Sequence, residues 1–196
     1  SWIFFTTVLT VLALTGRVLS EVRLPALISD YMLLQQEVPV RIWGWANPEE
    51  QVRVQFEGQN VSAVADSLGG WEAFLAPLEA GGPFEMVVSG ENTISLTDVL
   101  VGEVWIASGQ SNMVWSVRRS RDAEAEVAQA AFPRIRLFKV ALKVADQPLE
   151  DVEGSWQKCS AQSVADFSAV GYFFARHLHQ KRGHPVGVIQ TAWGGT

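Results

Sequence analysis

The spacing of apolar and polar positions divides the chain into two regimes. Between residues 21 and 97, apolar side chains recur at every second position in short runs. Residues 38–45 alternate and stop at Asn47-Pro48, and Val52, Val54 and Phe56 line one side of the next run. Glu57-Gly58-Gln59-Asn60 makes a turn before residues 61–65. Gly69-Gly70 leads into residues 71–75, Gly81-Gly82-Pro83 into 84–89, and Gly90-Glu91-Asn92 into 93–96. A period of two with this punctuation predicts an antiparallel β-sandwich. The carboxylates Asp30, Glu57 and Asp66 are scattered over its turns and form no catalytic cluster.

From Asp98 the period changes. Residues 104–107 are an apolar run that reads as a buried strand, followed by the turn Ser108-Gly109-Gln110, which presents Ser111 and Asn112. Ala123, Val127, Ala130 and Ala131 then fall at helical spacing, with Glu124 and Glu126 early in the helix and Pro133 closing it. Residues 135–140 form a second strand and 141–155 a long loop. Ser168 caps a helix whose apolar face takes in Val170, Phe173, Phe174, His177 and Leu178, and Gly183 ends it. Residues 186–189 are a third strand. Strands alternating with helices predict parallel pairing in an α/β layered domain. The expected organisation is a sandwich over 21–97 and an incomplete α/β domain over 98–196.

This topology locates a site. Open parallel sheets bind ligands beyond the carboxyl ends of their strands. Ser111 follows the first strand and Gln190-Thr191-Ala192-Trp193-Gly194-Gly195-Thr196 the third, so both open on one sheet edge. A turn that lifts a serine above a sheet displays a nucleophile, and nearby N–H groups can face a developing oxyanion. Gly194-Gly195 allows a backbone N–H close approach to a substrate oxygen; a plain turn is the competing reading. The spacing is not the G-x-S-x-G elbow, because Met113 stands at the last glycine position.

Composition narrows the function classes. Of the 196 residues, 48% are apolar and 18% charged, which describes a folded core rather than a disordered chain. The net charge of −6 and the lack of a basic stripe exclude nucleic acid as the main partner; Arg118, Arg119 and Arg121 are a small solvated cluster. The eight tryptophans are core residues or platforms for sugar rings. Cys159, the single cysteine, excludes an internal disulfide and a cysteine metal cluster and reads as a buried thiol. No ligand spacing implies a metal, and no Gly-rich phosphate loop implies a cofactor. Residues 2–14 are almost continuously apolar and suit a signal peptide cleaved before Glu21, with a membrane anchor as the alternative. Export to a secreted, periplasmic or lysosomal location follows, with no stable membrane association after cleavage. Asn60-Val61-Ser62 is a glycosylation sequon for a eukaryotic secretory pathway.

Several separated motifs then carry a resemblance. Gly102-Glu103-Val104-Trp105, Gly109-Gln110-Ser111-Asn112-Met113 and the stretch 185–190 running into Trp193-Gly194-Gly195-Thr196 resemble the sialate O-acetylesterase family of SGNH-type hydrolases. Met32-Leu33-Leu34-Gln35, Asp151-Val152 with Trp156 and Cys159, Phe167-Ser168-Ala169-Val170 and Tyr172-Phe173-Phe174 extend it in the same order. The resemblance implies that Ser111 attacks an acetyl ester of a carbohydrate. It implies an oxyanion hole from the N–H of Ser111 and of the Gly194-Gly195 turn. Gln110, Asn112, Trp115 and Trp193 are the substrate-side candidates. Val114 departs from the family, which often has Glu there.

The family also carries a later Gln-Gly-Glu-type block and an Asp-x-x-His element that supplies the base and its orienting acid. Neither occurs in residues 1–196, so the chain is expected to be an N-terminal fragment without its catalytic base. Of the three histidines, His177 is expected to pack on the helix face, His179 to be solvated, and His184 to start a strand at the opposite sheet edge. Two other readings compete: a non-catalytic carbohydrate-binding protein that uses the sandwich and its tryptophans, and an inactive fragment of the esterase.

Overall fold

The structure, a computed structural model, describes residues 21–195; the expected signal peptide and Thr196 lie outside the described residues. Seven strands come first: β1 (Leu33–Gln35), β2 (Val40–Trp45), β3 (Gln51–Phe56), β4 (Gln59–Val64), β5 (Gly70–Leu75), β6 (Gly81–Ser89) and β7 (Thr93–Ala107). Alternation survives folding. Val52, Val54 and Phe56 of β3 and Trp71, Ala73 and Leu75 of β5 are buried, while the residues between them are exposed. β2 and β5 pair as a small antiparallel sheet. β4, β3, β6 and β7 lie side by side in a larger one. Ile42, Ala73 and Leu75 of the small sheet share one core with Val52, Val54, Met86 and Val88 of the large sheet. Burial of each such side chain contributes roughly 1.5–3 kcal/mol.

β1 departs from the expected antiparallel pattern, pairing parallel to β7 with Leu33 opposite Leu100. Leu33 and Leu34 are both buried, so no alternation marks this strand.

β7 runs through residue 98, the expected domain boundary, and serves both parts of the molecule. Its first part pairs with β6 and its last residues, Glu103 to Ala107, pair with the strand Val186–Gln190, β10. The register against β6 slips between Phe84 and Met86, and opposite this slip Asp98 takes φ +57. Such a bulge re-aims a side chain, and Asp tolerates the left-handed region better than most residues. Asp98 thereby reaches Arg136 Nη2 and Lys158 Nζ, each at 2.5 Å. Arg136 is 2% exposed and also donates to the carbonyls of Pro133 and Tyr31. A guanidinium this deeply buried requires such partners.

After β7 come α1 (Ser111–Val114), a 3-10 turn (Val117–Arg119), α2 (Ala123–Ala128), β8 (Phe132–Lys139), β9 (Trp156–Cys159), α3 (Ala161–Val164), α4 (Ala169–Arg182) and β10. β10 lies between β7 and β8, parallel to both, as expected for the three strands of an α/β sheet. β9 adds antiparallel on the far side of β8, at the end of the segment predicted as loop. α2 is shorter than predicted, ending before Ala130 and Ala131; only Ala130 of that pair is buried.

α4 begins at Ser168 and ends at Gly183 (φ +73) as predicted; of its expected inward face Phe173 and Leu178 pack against the core, while Val170, Phe174 and His177 are exposed. Its buried residues are Ala169, Gly171, Tyr172 and Ala175, whereas Val170 and Phe174 are 50% and 43% exposed. Small residues win because the helix sits close to β10. A Cβ on Gly171 would come within 3.3 Å of Val188 and 3.4 Å of Ala107. Close packing leaves room only for a small residue at that contact, while the bulky Tyr172, also fully buried, turns its hydroxyl to Glu126 Oε1 at 3.2 Å.

Candidate functional site

The site is built on the carboxyl end of β7. The strand stops at Ala107, and Gly109 takes φ +138. Gln110 is the exposed N-cap of α1 and Ser111, also exposed, its first residue. The first hydrogen bonds of α1 run from Val114 N–H to the Gln110 carbonyl at 3.0 Å and from Trp115 N–H to that of Ser111 at 3.1 Å. The amides of Ser111, Asn112 and Met113 precede them and have no partner within the helix.

The segment after β10 is laced to this turn. Thr191 N–H donates to the Ala107 carbonyl at 3.0 Å and Trp193 N–H to that of Gly109 at 2.9 Å. Gly194 is thereby set beside the serine. A Cβ built on it would lie 3.9 Å from Ser111 Cα and 4.0 Å from Ser111 Oγ. The two segments predicted to share a sheet edge are in contact there. Gly195, at φ +87, faces open space. Asn112 is exposed, Trp115 is 45% and Trp193 36% exposed. Trp115 is partly committed to structure: its indole N–H donates to the Arg119 carbonyl at 2.9 Å, and the Arg119 guanidinium lies 4.1 Å from its ring centroid.

Behind the serine turn stands a buried polar shell of which the sequence showed only the Ser168 cap. Ser168 Oγ accepts Gly171 N–H at 3.1 Å, capping α4, and contacts Met113 Sδ at 3.3 Å. Gln190 Oε1 accepts Ser168 N–H at 2.8 Å, and Ala169 N–H donates to the Trp115 carbonyl at 2.8 Å. A glutamine closing an apolar strand was the available signal, since an amide buried there must find a partner.

The histidines stand away from Ser111. His184 precedes β10 at the amino edge of the sheet, with Nδ1 3.0 Å from Gln36 Oε1, and its carbonyl lies 2.6 Å from His179 Nδ1. His177 is exposed and His179 partly buried, the reverse of the expectation and a consequence of the inward face that α4 adopts. Among the described residues no group of His, Cys, Asp and Glu is arranged to hold a metal ion. The Cys159 thiol is buried, which pushes its pKa up to about 12, so it is no nucleophile near neutral pH.

A mixed sheet whose parallel strands deliver a serine and a glycine turn to one edge defines an α/β protein of the SGNH-hydrolase type. A carbohydrate acetylesterase from Xanthomonas citri has this fold: the TM-score is 0.87 at 37% identity, covering 89% of this chain and 41% of that one. Residues 101–196 match the family described as carbohydrate esterase, sialic acid-specific acetylesterase, and the chain belongs to this sialate O-acetylesterase family. The sialate O-acetylesterases of Mus musculus and Homo sapiens are each 34% identical to it over 89% of its length. The chain spans 36% and 37% of those two proteins.

Proposed function

We propose that Ser111 is the nucleophile of an exported esterase that removes O-acetyl groups from sialic acid or another acetylated carbohydrate. The observation that carries this reading is the placement of Gly194 at the Ser111 hydroxyl, 4.0 Å from Oγ to a Cβ built on the glycine. The Oγ attacks the acetyl carbonyl, and the carbonyl oxygen takes the negative charge. In this reading the N–H of Ser111 and of the Gly194-Gly195 turn receive it. The Oγ proton passes to the base during attack; collapse of the tetrahedral intermediate then expels the sugar oxygen, which takes that proton to leave as the hydroxyl, and acetyl-Ser111 remains. Water then attacks the acyl group, releasing acetate and restoring the serine.

A serine hydroxyl needs a base to react near neutral pH. In this reading the base comes from outside residues 21–195, because His177, His179 and His184 stand away from Ser111. Gln110, Asn112, Trp115 and Trp193, all exposed around the turn, are the side chains offered to the sugar. The apolar run at residues 2–14 supports export through a signal peptide, and the acidic net charge of −6 supports a partner that is not nucleic acid. Residues 21–97 and 98–196 serve as support and catalytic part respectively, joined by β7.

The test is acetate release by the natural gene product from acetylated xylan and O-acetylated sialic acid, with p-nitrophenyl acetate as a general substrate. Ser111→Ala is expected to lower the rate at least about a thousandfold. Unchanged hydrolysis by that variant sinks the reading.

A further inference from the structure

The small β2–β5 sheet carries a feature that the serine site does not use. Its inward positions, Val40, Ile42 and Gly44 on β2, are buried, so Trp43 and Trp45 alternate to the opposite face. Both indoles are half-buried and line a cleft of about 910 Å³. That volume falls within the roughly 300–1,000 Å³ of small-molecule sites. The Arg41 guanidinium lies 5.3 Å from the Trp43 ring centroid and that of Arg23 5.6 Å from the Trp45 ring. Arg41 is in turn held by Glu72, Nε to Oε2 at 2.6 Å. The rings are thus steadied before any ligand arrives, which lowers the ordering cost of binding.

Around the indoles the lining is mixed: apolar Val64 and Trp71 stand with the polar Ser62 from β4, Asp66 from the turn after it, and Glu150 from the loop between β8 and β9. Apolar ring faces bordered by a guanidinium, carboxylates and a hydroxyl match a sugar ring. A pyranose offers C–H faces to stack on an indole and hydroxyls at its rim for planar polar groups. The charge balance selects among sugars. Arg41, the cation that lines the cleft, and Arg23 over the Trp45 ring face three carboxylates, Asp66, Glu72 and Glu150, a net negative balance that disfavours a sugar bearing a carboxylate of its own.

We infer that this cleft binds a neutral sugar unit of a polysaccharide, through Trp43 and Trp45 as platforms and the Arg41–Glu72 pair as hydroxyl partners. It shares no residue with the Ser111 turn, and binding requires no hydrolysis. The inference therefore stands or falls separately from the esterase reading. Affinity electrophoresis of the natural gene product in gels containing soluble xylan, glucomannan or polysialic acid tests it. Expected is retardation by a neutral polysaccharide and none by polysialic acid. Trp43→Ala and Trp45→Ala should each weaken it about tenfold, and Ser111→Ala should leave it unchanged. Because Trp43 also touches the sandwich core, Glu72→Gln is the second variant; it should weaken binding while the melting temperature holds. No retardation by either neutral polysaccharide, preference for polysialic acid, or unaltered binding in folded Trp45→Ala and Glu72→Gln proteins overturns the inference.

Discussion

Gln190 Oε1 accepts the backbone N–H of Ser168 at 2.8 Å, with the two residues 3% and 0% exposed. The bond joins the end of β10 to the start of α4, and Ser168 passes the constraint to Met113, two residues beyond the nucleophile candidate. Backbone bonding tightens the same corner, with Ser116 bridged to Ser168 and Ala169 N–H on the Trp115 carbonyl. The short α1 makes few bonds of its own and is held in place by this corner.

Gln190→Leu leaves the Ser168 N–H buried without an acceptor. The expected loss of stability is about 1–3 kcal/mol, read by urea denaturation. Ser168→Ala removes the α4 cap and the contact to Met113, with an expected loss of about 1–2 kcal/mol. If the corner positions Ser111, Ser168→Ala also lowers kcat with little change in KM, and Ser168→Thr restores part of it. Equal effects on kcat in a variant destabilised elsewhere would assign the loss to stability alone.

Asp98 ties β7 to β8 and β9. Burial raises its pKa, but hydrogen bonds and charge from Lys158 and Arg136 outweigh that and hold it below the ordinary value. A carboxylate whose folded pKa is depressed stabilises the protein fully above its unfolded value of about 4. The contribution is lost as pH falls through the lowered folded value. Asp98→Asn is expected to flatten that acid-side loss. At pH 7 it should cost about 3–5 kcal/mol, because the buried Arg136 loses its counter-charge. Denaturation curves at pH 7 and pH 3 measure both effects; parallel curves for the two proteins across that range would dismiss the linkage.

Cys159 is 2% exposed and its thiol stays protonated near neutral pH. A disulfide-exchange reagent at pH 8 should label it only as fast as the protein unfolds, and labelling should accelerate through the urea transition. Stoichiometric labelling of the native protein within minutes would show that the β9–α4 packing opens readily.

Much of this arrangement was legible in the residues themselves. The period-two runs at Val52, Val54 and Phe56 and at Trp71, Ala73 and Leu75 marked their strands, because one buried face leaves a regular trace. The serine edge was legible for the same reason: strand ends and turn residues fall at fixed places in a parallel sheet. β1 was not, since Leu33 and Leu34 are both buried and no alternation betrays them. The continuity of β7 through Asp98 was hidden by a bulge that reads as a change of regime. The inward face of α4 was legible only in part: Phe173 and Leu178 pack inward as expected, but close approach to β10 favours Gly171 over the larger Phe174 and Val170. The Ser168–Gln190 bond depends on a contact between segments 22 residues apart, which no local pattern encodes.

Gly194 and Gly195 separate shape from strain at the serine. Gly194 sits outside the left-handed region, and a methyl there would meet Ser111 at 3.9–4.0 Å, ordinary contact distances. Gly194→Ala is therefore expected to fold with nearly unchanged stability. Its methyl would occupy the approach beside Ser111 Oγ, where an acetyl group must seat. The expected result is a fall in kcat/KM of about ten- to a hundredfold, a barrier increase of about 1.4–2.7 kcal/mol. Gly195→Ala behaves differently: its φ of +87 strains any side chain, although nothing lies within 4 Å. It should cost about 1–2 kcal/mol of stability or shift the turn locally. Paired thermal melts and ester hydrolysis by both variants resolve the two effects. A Gly194→Ala protein with wild-type kcat/KM would mean that the ester does not approach Ser111 from the glycine turn.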